Sequence, residues 1–393
     1  MSLRILDIEN VCTACGACAS ICPKDALSIN SKPQMIGFYY PTVDESKCVN
    51  CGLCEKVCPK LTTADIQIQD EPNAAYMLQA KDDSILEKSS SGGFFSVLAQ
   101  FIINKGGVVW GSAYNYELER LETISTNKTS LESLRKSKYI ETFSGTIFRE
   151  VKQQLQAGRW CLFVGTPCQI TGLNHYLKQT KTALGKLITV RFVCHGVPSN
   201  EYFKSTKSHL EKKHRGRLKS FDFRSKINGW RGNILQVVFD NGQMNYYNGA
   251  NLIYYSSFFK NELLRRSCYS CKEICKAESD FTMGDFWGVF RYKPEFTDNR
   301  GLSLLQVHSR KAADIFDTIK DSIRYELLPA QSYAYIYEET ATKEHMLSDR
   351  IKMEKYINAL GYPCFTWLRY YPGLVKGRIR MIIYRIYKSL LAK

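Results

Sequence analysis

Residues 12–23 read CTACGACASICP and residues 48–59 read CVNCGLCEKVCP. Each is C-x2-C-x2-C-x3-C closed by a proline, so the second stretch repeats the first. Three thiolates from one tight loop can grip three irons of a cubane, while the fourth cysteine, on the turn before the proline, reaches across to a neighbouring cubane. The spacing therefore predicts two [4Fe–4S] clusters, one on Cys12, Cys15, Cys18 and Cys58 and the other on Cys48, Cys51, Cys54 and Cys22. Zinc is the competing occupant, but structural zinc sites usually pair two knuckles of two cysteines each. Two such clusters exchange single electrons and act as a wire, and a wire needs an end in the rest of the chain.

Residues 1–66 thus resemble a bacterial ferredoxin. They carry six basic and seven acidic side chains, whereas the whole chain of 393 residues has a net charge of +16. The excess lies beyond the repeat, and residues 361–393 supply seven Lys and Arg without one acid. A basic surface favours anionic partners such as phosphorylated cofactors, acidic proteins or acidic lipid. Nucleic acid is not expected, because no recognised binding fold accompanies the charge. With 44% hydrophobic and 23% charged residues the composition is that of a globular protein. No stretch long enough to span a bilayer lacks charges. Asp7 and Glu9 interrupt the apolar run a secretory leader needs, so a cytoplasmic setting is expected.

Downstream, residues 59–75 look like a polar connector. Ser89-Ser90-Ser91-Gly92-Gly93 then leads into FFSVLAQFIINKGG, an apolar run of helical length. Small residues before a helix can offer free N–H groups to an anion, although a plain Ser N-cap reads the same way. Strand-like runs follow at 108–115, 160–164 and 188–194, with a helix at 147–157 between the first two. Strands alternating with helices predict an α/β or α+β core. The second strand ends in Gly165-Thr166-Pro167-Cys168-Gln169, a strand-to-helix turn of the kind where α/β proteins place ligands. The third closes on Cys194-His195-Gly196-Val197-Pro198.

Seven further cysteines remain. Cys161 and Cys364 read as core. Cys168, Cys194, Cys268 and Cys271 form the preferred ligand set of a third [4Fe–4S] cluster, with Cys275 as a substitute and zinc or free thiols as alternatives. No G-x-G-x-x-G follows a strand and no G-x4-G-K-[ST] is present, so neither a nicotinamide Rossmann domain nor ATP-driven chemistry is indicated.

Several segments occur together in order: Ser91-Gly92-Gly93, Ser137-Lys138-Tyr139, residues 162–169 (LFVGTPCQ), residues 194–198 (CHGVP), Phe223-Arg224-x-Lys226-x2-Gly229-Trp230, Ser267-Cys268-Tyr269-x-Cys271 and residues 284–288 (GDFWG). From about residue 5 to residue 340 the chain resembles the coenzyme F-420 hydrogenase/dehydrogenase beta-subunit family, in the branch with an N-terminal ferredoxin domain. The resemblance implies an FAD-dependent oxidoreductase, in which flavin converts between the one-electron chemistry of clusters and the two-electron chemistry of organic substrates. By that analogy Ser91, Gly92 and Gly93 approach the flavin phosphate through backbone N–H groups, with Lys138, Tyr139, Gly165 and Thr166 lining the same cleft. His195 is the candidate proton donor, and Asp285 and Trp287 either shape the site or pack a turn.

The expected fold class is α+β, a ferredoxin-like domain (1–66) fused to an α/β flavin-binding domain (67–200 and 201–340) and a helical basic tail (341–393). In residues 374–393 Val375, Ile379, Ile382, Ile383, Ile386 and Leu390 share one helical face, with Arg378, Arg385 and Lys388 opposite. Such a helix can touch the inner membrane surface peripherally, or dock on protein. The expected function is electron transfer through the clusters to FAD-mediated reduction or oxidation of a small organic substrate. The resemblance also implies a link to bacterial polysaccharide biosynthesis, since relatives of this layout resemble proteins found alongside surface-polysaccharide synthesis. A ferredoxin or other redox protein is the expected partner. The alternative is a non-catalytic electron-transfer subunit serving a partner oxidoreductase.

Overall fold

A computed structural model describes residues 4–62, 74–271, 278–296, 298–333 and 343–370. The basic helix expected at 374–393, and Cys275, lie outside the described residues.

The cysteine repeats enclose a small antiparallel hairpin, β1 (Leu27–Lys32) and β2 (Phe38–Val43), between two short helices, α1 (Ala17–Ile21) and α2 (Leu53–Lys56). The remaining strands are β3 (Ala74–Ala80), β4 (Val108–Asn115), β5 (Arg120–Ser125), β6 (Thr142–Phe143), β7 (Cys161–Gly165), β8 (Leu187–Phe192), β9 (Leu218–Ser225), β10 (Ile234–Phe239), β11 (Met244–Tyr247), β12 (Phe281–Asp285), β13 (Ser303–Val307) and β14 (Ile323–Leu327). Nine of them form one mixed sheet in the order β14-β3-β13-β12-β8-β7-β4-β5-β6. Its centre, β12-β8-β7-β4, is parallel. Strands β9, β10 and β11 make a separate antiparallel sheet.

The parallel centre explains why residues 161–165 (CLFVG) are an unbroken apolar run, since such strands are buried on both faces. On one face Leu162, Val164, Ile188 and Val190 meet Phe94, Leu98 and Ile102 of α3 (Phe94–Asn104), together with Ile315 and Phe316 from Arg310–Ile319. On the other, Cys161, Phe163 and Leu187 meet α4 (Ile147–Gln156) and α5 (Pro167–Gln179) through Phe148, Val151, Ile170 and Leu173. Cys161 is therefore core, fully buried. Burying a Leu or Phe side chain contributes roughly 1.5–3 kcal/mol. A third core joins Phe38 and Tyr40 of the N-terminal hairpin to Phe223, Leu235, Val237 and Tyr255, so the cysteine domain shares hydrophobic surface with the body.

Arg149 of α4 fastens the same junction. Its guanidinium donates to the carbonyls of Ser20 (2.7 Å), Ala19 (3.2 Å) and Cys22 (2.6 Å). Those are carbonyls in and just after the last turn of α1, where no helical partner remains.

Candidate functional site: a cysteine-lined path to the sheet edge

The two cysteine runs repeat in backbone as well as in sequence. Ala14 (φ 52°) and Asn50 (φ 51°) hold the left-handed conformation just before Cys15 and Cys51. Gly16 (φ 88°) and Gly52 (φ 71°) hold it just after, each capping the short helix that carries the third cysteine of its run. Alternating left- and right-handed residues turn successive N–H groups towards one point, the form of cradle that holds phosphates and iron–sulfur clusters.

The fourth cysteines cross over. Cys22 shares a pocket with Cys48, Cys51 and Cys54, bordered by Pro23, Lys24, Leu27, Val49 and Asn50. Cys58 lies within electrostatic reach of Cys15 and Cys18, as Cys12 does. Burial pushes the Cys15 and Cys18 thiols far above their ordinary range, and neighbouring cysteines add to the rise. Burial likewise pushes Cys54 up to about 11. Crowded, buried thiols of this kind are stable as thiolates only beside strong positive charge, which iron supplies. Ala14 N–H donates to Cys12 Sγ (3.4 Å) and Ala26 N–H to Cys22 Sγ (3.3 Å).

A second cavity opens between this domain and the sheet. It is lined by Cys168, Cys194, Cys268 and Cys271 and by Thr13, Ala14, Glu141, Thr166, Gln169, His195 and Arg265, with about 640 Å3 of free space including its mouth. Four cysteines from distant parts of the chain thus meet at one place. Cys168 sits at the start of α5, just past the carboxyl end of β7, and Cys194 follows β8. Cys268 and Cys271 follow Leu264, whose neighbourhood is tied to the Pro198 loop by a β-bridge. Gly196 (φ 111°) permits that approach: a Cβ there would stand 2.7 Å from Leu264 Cδ1 and 3.2 Å from Cys268 Cβ. Burial and the neighbouring Cys268 and Cys168 push Cys194 up to about 12. Cys15 also feels Cys168, so this cavity adjoins the Cys12–Cys15–Cys18–Cys58 group.

Thr166 caps α5 in a reciprocal box. Its hydroxyl accepts from Gln169 N–H (3.4 Å) while Gln169 Oε1 accepts from Thr166 N–H (3.0 Å). Thr166 Oγ1 also lies 3.1 Å from Cys168 Sγ. His195 Nε2 is 3.2 Å from Phe258 carbonyl O, and burial pulls its imidazole down to about 4. A neutral ring donates from that nitrogen.

The other residues expected at a flavin lie further along the same sheet edge. Gly92 N–H donates to Ser303 Oγ (2.9 Å) and Ser91 Oγ donates to Leu302 O (2.8 Å). The Gly92 amide therefore already has a partner, and a Cβ at Gly92 would lie 2.2 Å from Leu78 O. Gly93 (φ 90°) is the turn into α3. Thr166 lines the cysteine cavity instead, and Gly165 is the last residue of β7 just before it. The ends of β7, β8 and β12 and the start of β13 are successive neighbours. At about 4.8 Å per strand, three steps place Ser303 roughly 14 Å along the edge from Gly165.

Around Ser91 stands a cluster of aromatic and charged side chains. Arg224 pairs with Asp285 (3.0 Å) and donates to Tyr139 OH (3.3 Å). Trp230 Nε1 donates to the same carboxylate (2.7 Å). Trp230 stacks on the half-exposed Trp287 with ring centroids 4.5 Å apart, and Tyr139 stacks on Phe258 at the same spacing. Lys226 Nζ donates to Ser91 O (3.1 Å) and Leu86 O (2.7 Å). Lys138 donates to the carbonyls of Arg135 and Lys136. Burial pulls Lys138 down to about 7 and Lys226 to about 8. The FR-x-K and GDFWG segments signalled Arg224, Lys226 and Asp285. Arg265 and Glu141 carried no such signal.

The doubled cysteine run and an α/β sheet with ligand-type turns define an iron–sulfur electron-transfer protein. Residues 11–61 match a 4Fe-4S dicluster domain, and residues 158–332 match the C terminus of the beta subunit of coenzyme F420 hydrogenase/dehydrogenase. Residues 158–332 thus carry the C-terminal domain of that beta subunit, placed behind a domain for two [4Fe–4S] clusters. No curated protein matches the chain. Among solved structures, it is similar to a chain of the F420-reducing [NiFe] hydrogenase complex from Methanosarcina barkeri. Identity is 15% and the TM-score 0.49, over 73% of this chain and 94% of that one. Among the described residues no helix is long and apolar enough to cross a membrane.

Proposed function

We propose that the protein is an FAD- and [4Fe–4S]-dependent oxidoreductase that couples single-electron transfer through three clusters to the reduction or oxidation of a small organic substrate. The observation that carries this reading is the convergence of Cys168, Cys194, Cys268 and Cys271 on one cavity beside the Cys12–Cys15–Cys18–Cys58 group. A third cluster there continues the path from the surface pocket of Cys22, Cys48, Cys51 and Cys54 into the body, towards the edge of the sheet. Crevices beyond the carboxyl ends of parallel strands are where open α/β sheets bind ligands.

The residues around Ser91 suit a flavin nucleotide: aromatic faces at Trp287 and Tyr139, and cations at Lys138, Arg224 and Lys226. When bound, FAD supplies the conversion between one- and two-electron steps. Arg224 and Asp285 hold Trp230, and through it Trp287, in a fixed orientation. Lys138 and Lys226 supply positive charge for an anionic group. With its Nε2 occupied by Phe258 O and its ring neutral, His195 suits bracing the 194–198 loop better than delivering protons.

A relay protein that serves an active site on a partner is the second reading. It is favoured by the family's description as a beta subunit. Iron, sulfide and flavin per chain, measured on protein purified without oxygen, test the proposal. About twelve irons, four for each cluster, with one FAD support it. Eight irons without flavin overturn it in favour of the relay.

A further inference from the structure

Arg265 is almost fully buried at the junction between the N-terminal domain and the four-cysteine cavity. Its Nε donates to Cys12 O (2.6 Å) and its Nη2 to Tyr39 O (2.7 Å), both in the N-terminal domain. Its Nη1 donates to the carboxylate of Glu141, which is equally buried and itself accepts from Tyr39 N–H (3.2 Å). The guanidinium lies over the Tyr40 ring at 4.3 Å. Both Arg265 and Glu141 line the cavity that holds Cys168, Cys194, Cys268 and Cys271. One fork-shaped cation therefore contacts a ligand loop on one side and faces the second cysteine group on the other. Lysine could not reproduce three directed donations from one planar group.

We propose that Arg265, braced by Glu141, is the positioning residue that fixes the Cys12 loop against the four-cysteine cavity and sets the electrochemical potential on both sides of that junction. The inference rests on the three-cluster reading. A buried positive charge stabilises the added electron of a reduced cluster and a buried negative charge opposes it, both strengthened by the low local dielectric. The pair thus pulls in opposite senses on the same two clusters. The group at Cys22, Cys48, Cys51 and Cys54 lies in a separate pocket that neither Arg265 nor Glu141 lines, and it serves as an internal reference.

The test is a redox titration followed by EPR on the full chain, wild type against Arg265→Gln, Arg265→Lys and Glu141→Gln. Arg265→Gln is expected to lower the midpoint potentials of the Cys12–Cys15–Cys18–Cys58 cluster and of the cavity cluster. Glu141→Gln is expected to raise them, and the reference cluster is expected to hold its value in both. Arg265→Lys keeps the charge but not the fork, so potentials near wild type are expected, with weaker magnetic interaction between the two junction clusters. Shifts of the same sign in Arg265→Gln and Glu141→Gln, or an equal shift of the reference cluster, would overturn the proposal while leaving the three-cluster reading intact. A wild type with only eight irons overturns both at once.

Discussion

A methyl group at Gly172 would stand 2.7 Å from Cys15 Sγ and 2.9 Å from its Cβ. Helix α5 of the body thus comes so close to the N-terminal ligand loop that only hydrogen fits between them. Glycine inside a helix normally costs about 1 kcal/mol relative to alanine. On propensity alone, Gly172→Ala should stabilise the protein. Contact with Cys15 decides otherwise, because neither the helix backbone nor a loop held by Arg265 can retreat freely. The expected outcome is loss or distortion of the Cys12–Cys15–Cys18–Cys58 cluster, seen as fewer irons per chain and an altered EPR signal. Unchanged iron and a higher melting temperature would show that the two domains are not in register as described.

The Thr166–Gln169 box gives a second expectation. Removing an N-cap hydroxyl costs about 1 kcal/mol, and here it also withdraws the oxygen 3.1 Å from Cys168 Sγ. Thr166→Val is therefore expected to lower thermal stability modestly and, on the proposed three-cluster reading, to make the irons of the cavity more labile. Chelator challenge without oxygen measures this: the cavity irons should be lost faster than in wild type, with the other eight unaffected. Equal rates for all irons would separate Thr166 from the cavity.

Much of this arrangement is legible in the chain itself, for local reasons. The cysteine repeat is readable because its spacers are short, and the strands at 108–115 and 161–165 because burial on both faces demands uninterrupted apolar residues. The four late cysteines could be grouped because each follows a strand end or forms a knuckle. What escapes is partnership across long separations. Gly92 looked like a free anion-binding amide, yet its acceptor is Ser303, 211 residues away. Arg265 and Glu141, 124 residues apart, sit in segments where nothing distinguishes them from surface charges. The antiparallel sheet of β9, β10 and β11 is likewise hard to read from the chain, since its strands carry polar residues on their open side.

The cleft at Ser91 makes an expectation about pH. Lys138 and Lys226, pulled down by burial to about 7 and about 8, are cationic below those values and neutral above them. An anionic ligand held by them binds best at or below pH 7 and progressively less well from pH 7 to 9. On the proposed FAD reading, flavin retained after gel filtration should fall across that interval in wild type. Arg224→Ala should release flavin at every pH with the irons retained, because it unties Asp285 and Tyr139 together. Flavin retention that rises with pH would exclude the two lysines from the site.

His308 sets a different pH dependence, on stability rather than binding. Its Nε2 lies 2.8 Å from Thr282 Oγ1, and burial, with Arg191 nearby, pulls its imidazole from 6.5 to about 3. The folded protein therefore refuses a proton that the unfolded chain accepts below pH 6.5. The sign follows directly: stability is full above pH 6.5 and falls as the pH drops from there towards 3. At pH 5 the gap amounts to roughly 2 kcal/mol, a sizeable part of a typical domain's margin. His308→Asn removes the titrating group while keeping a polar side chain for Thr282. It should be somewhat less stable than wild type at pH 7, having lost a fitted ring, yet lose less on acidification. Denaturant midpoints at pH 7 and pH 5, recorded without oxygen for both proteins, decide the matter. Parallel losses in the two would mean that some other group governs the acid limb.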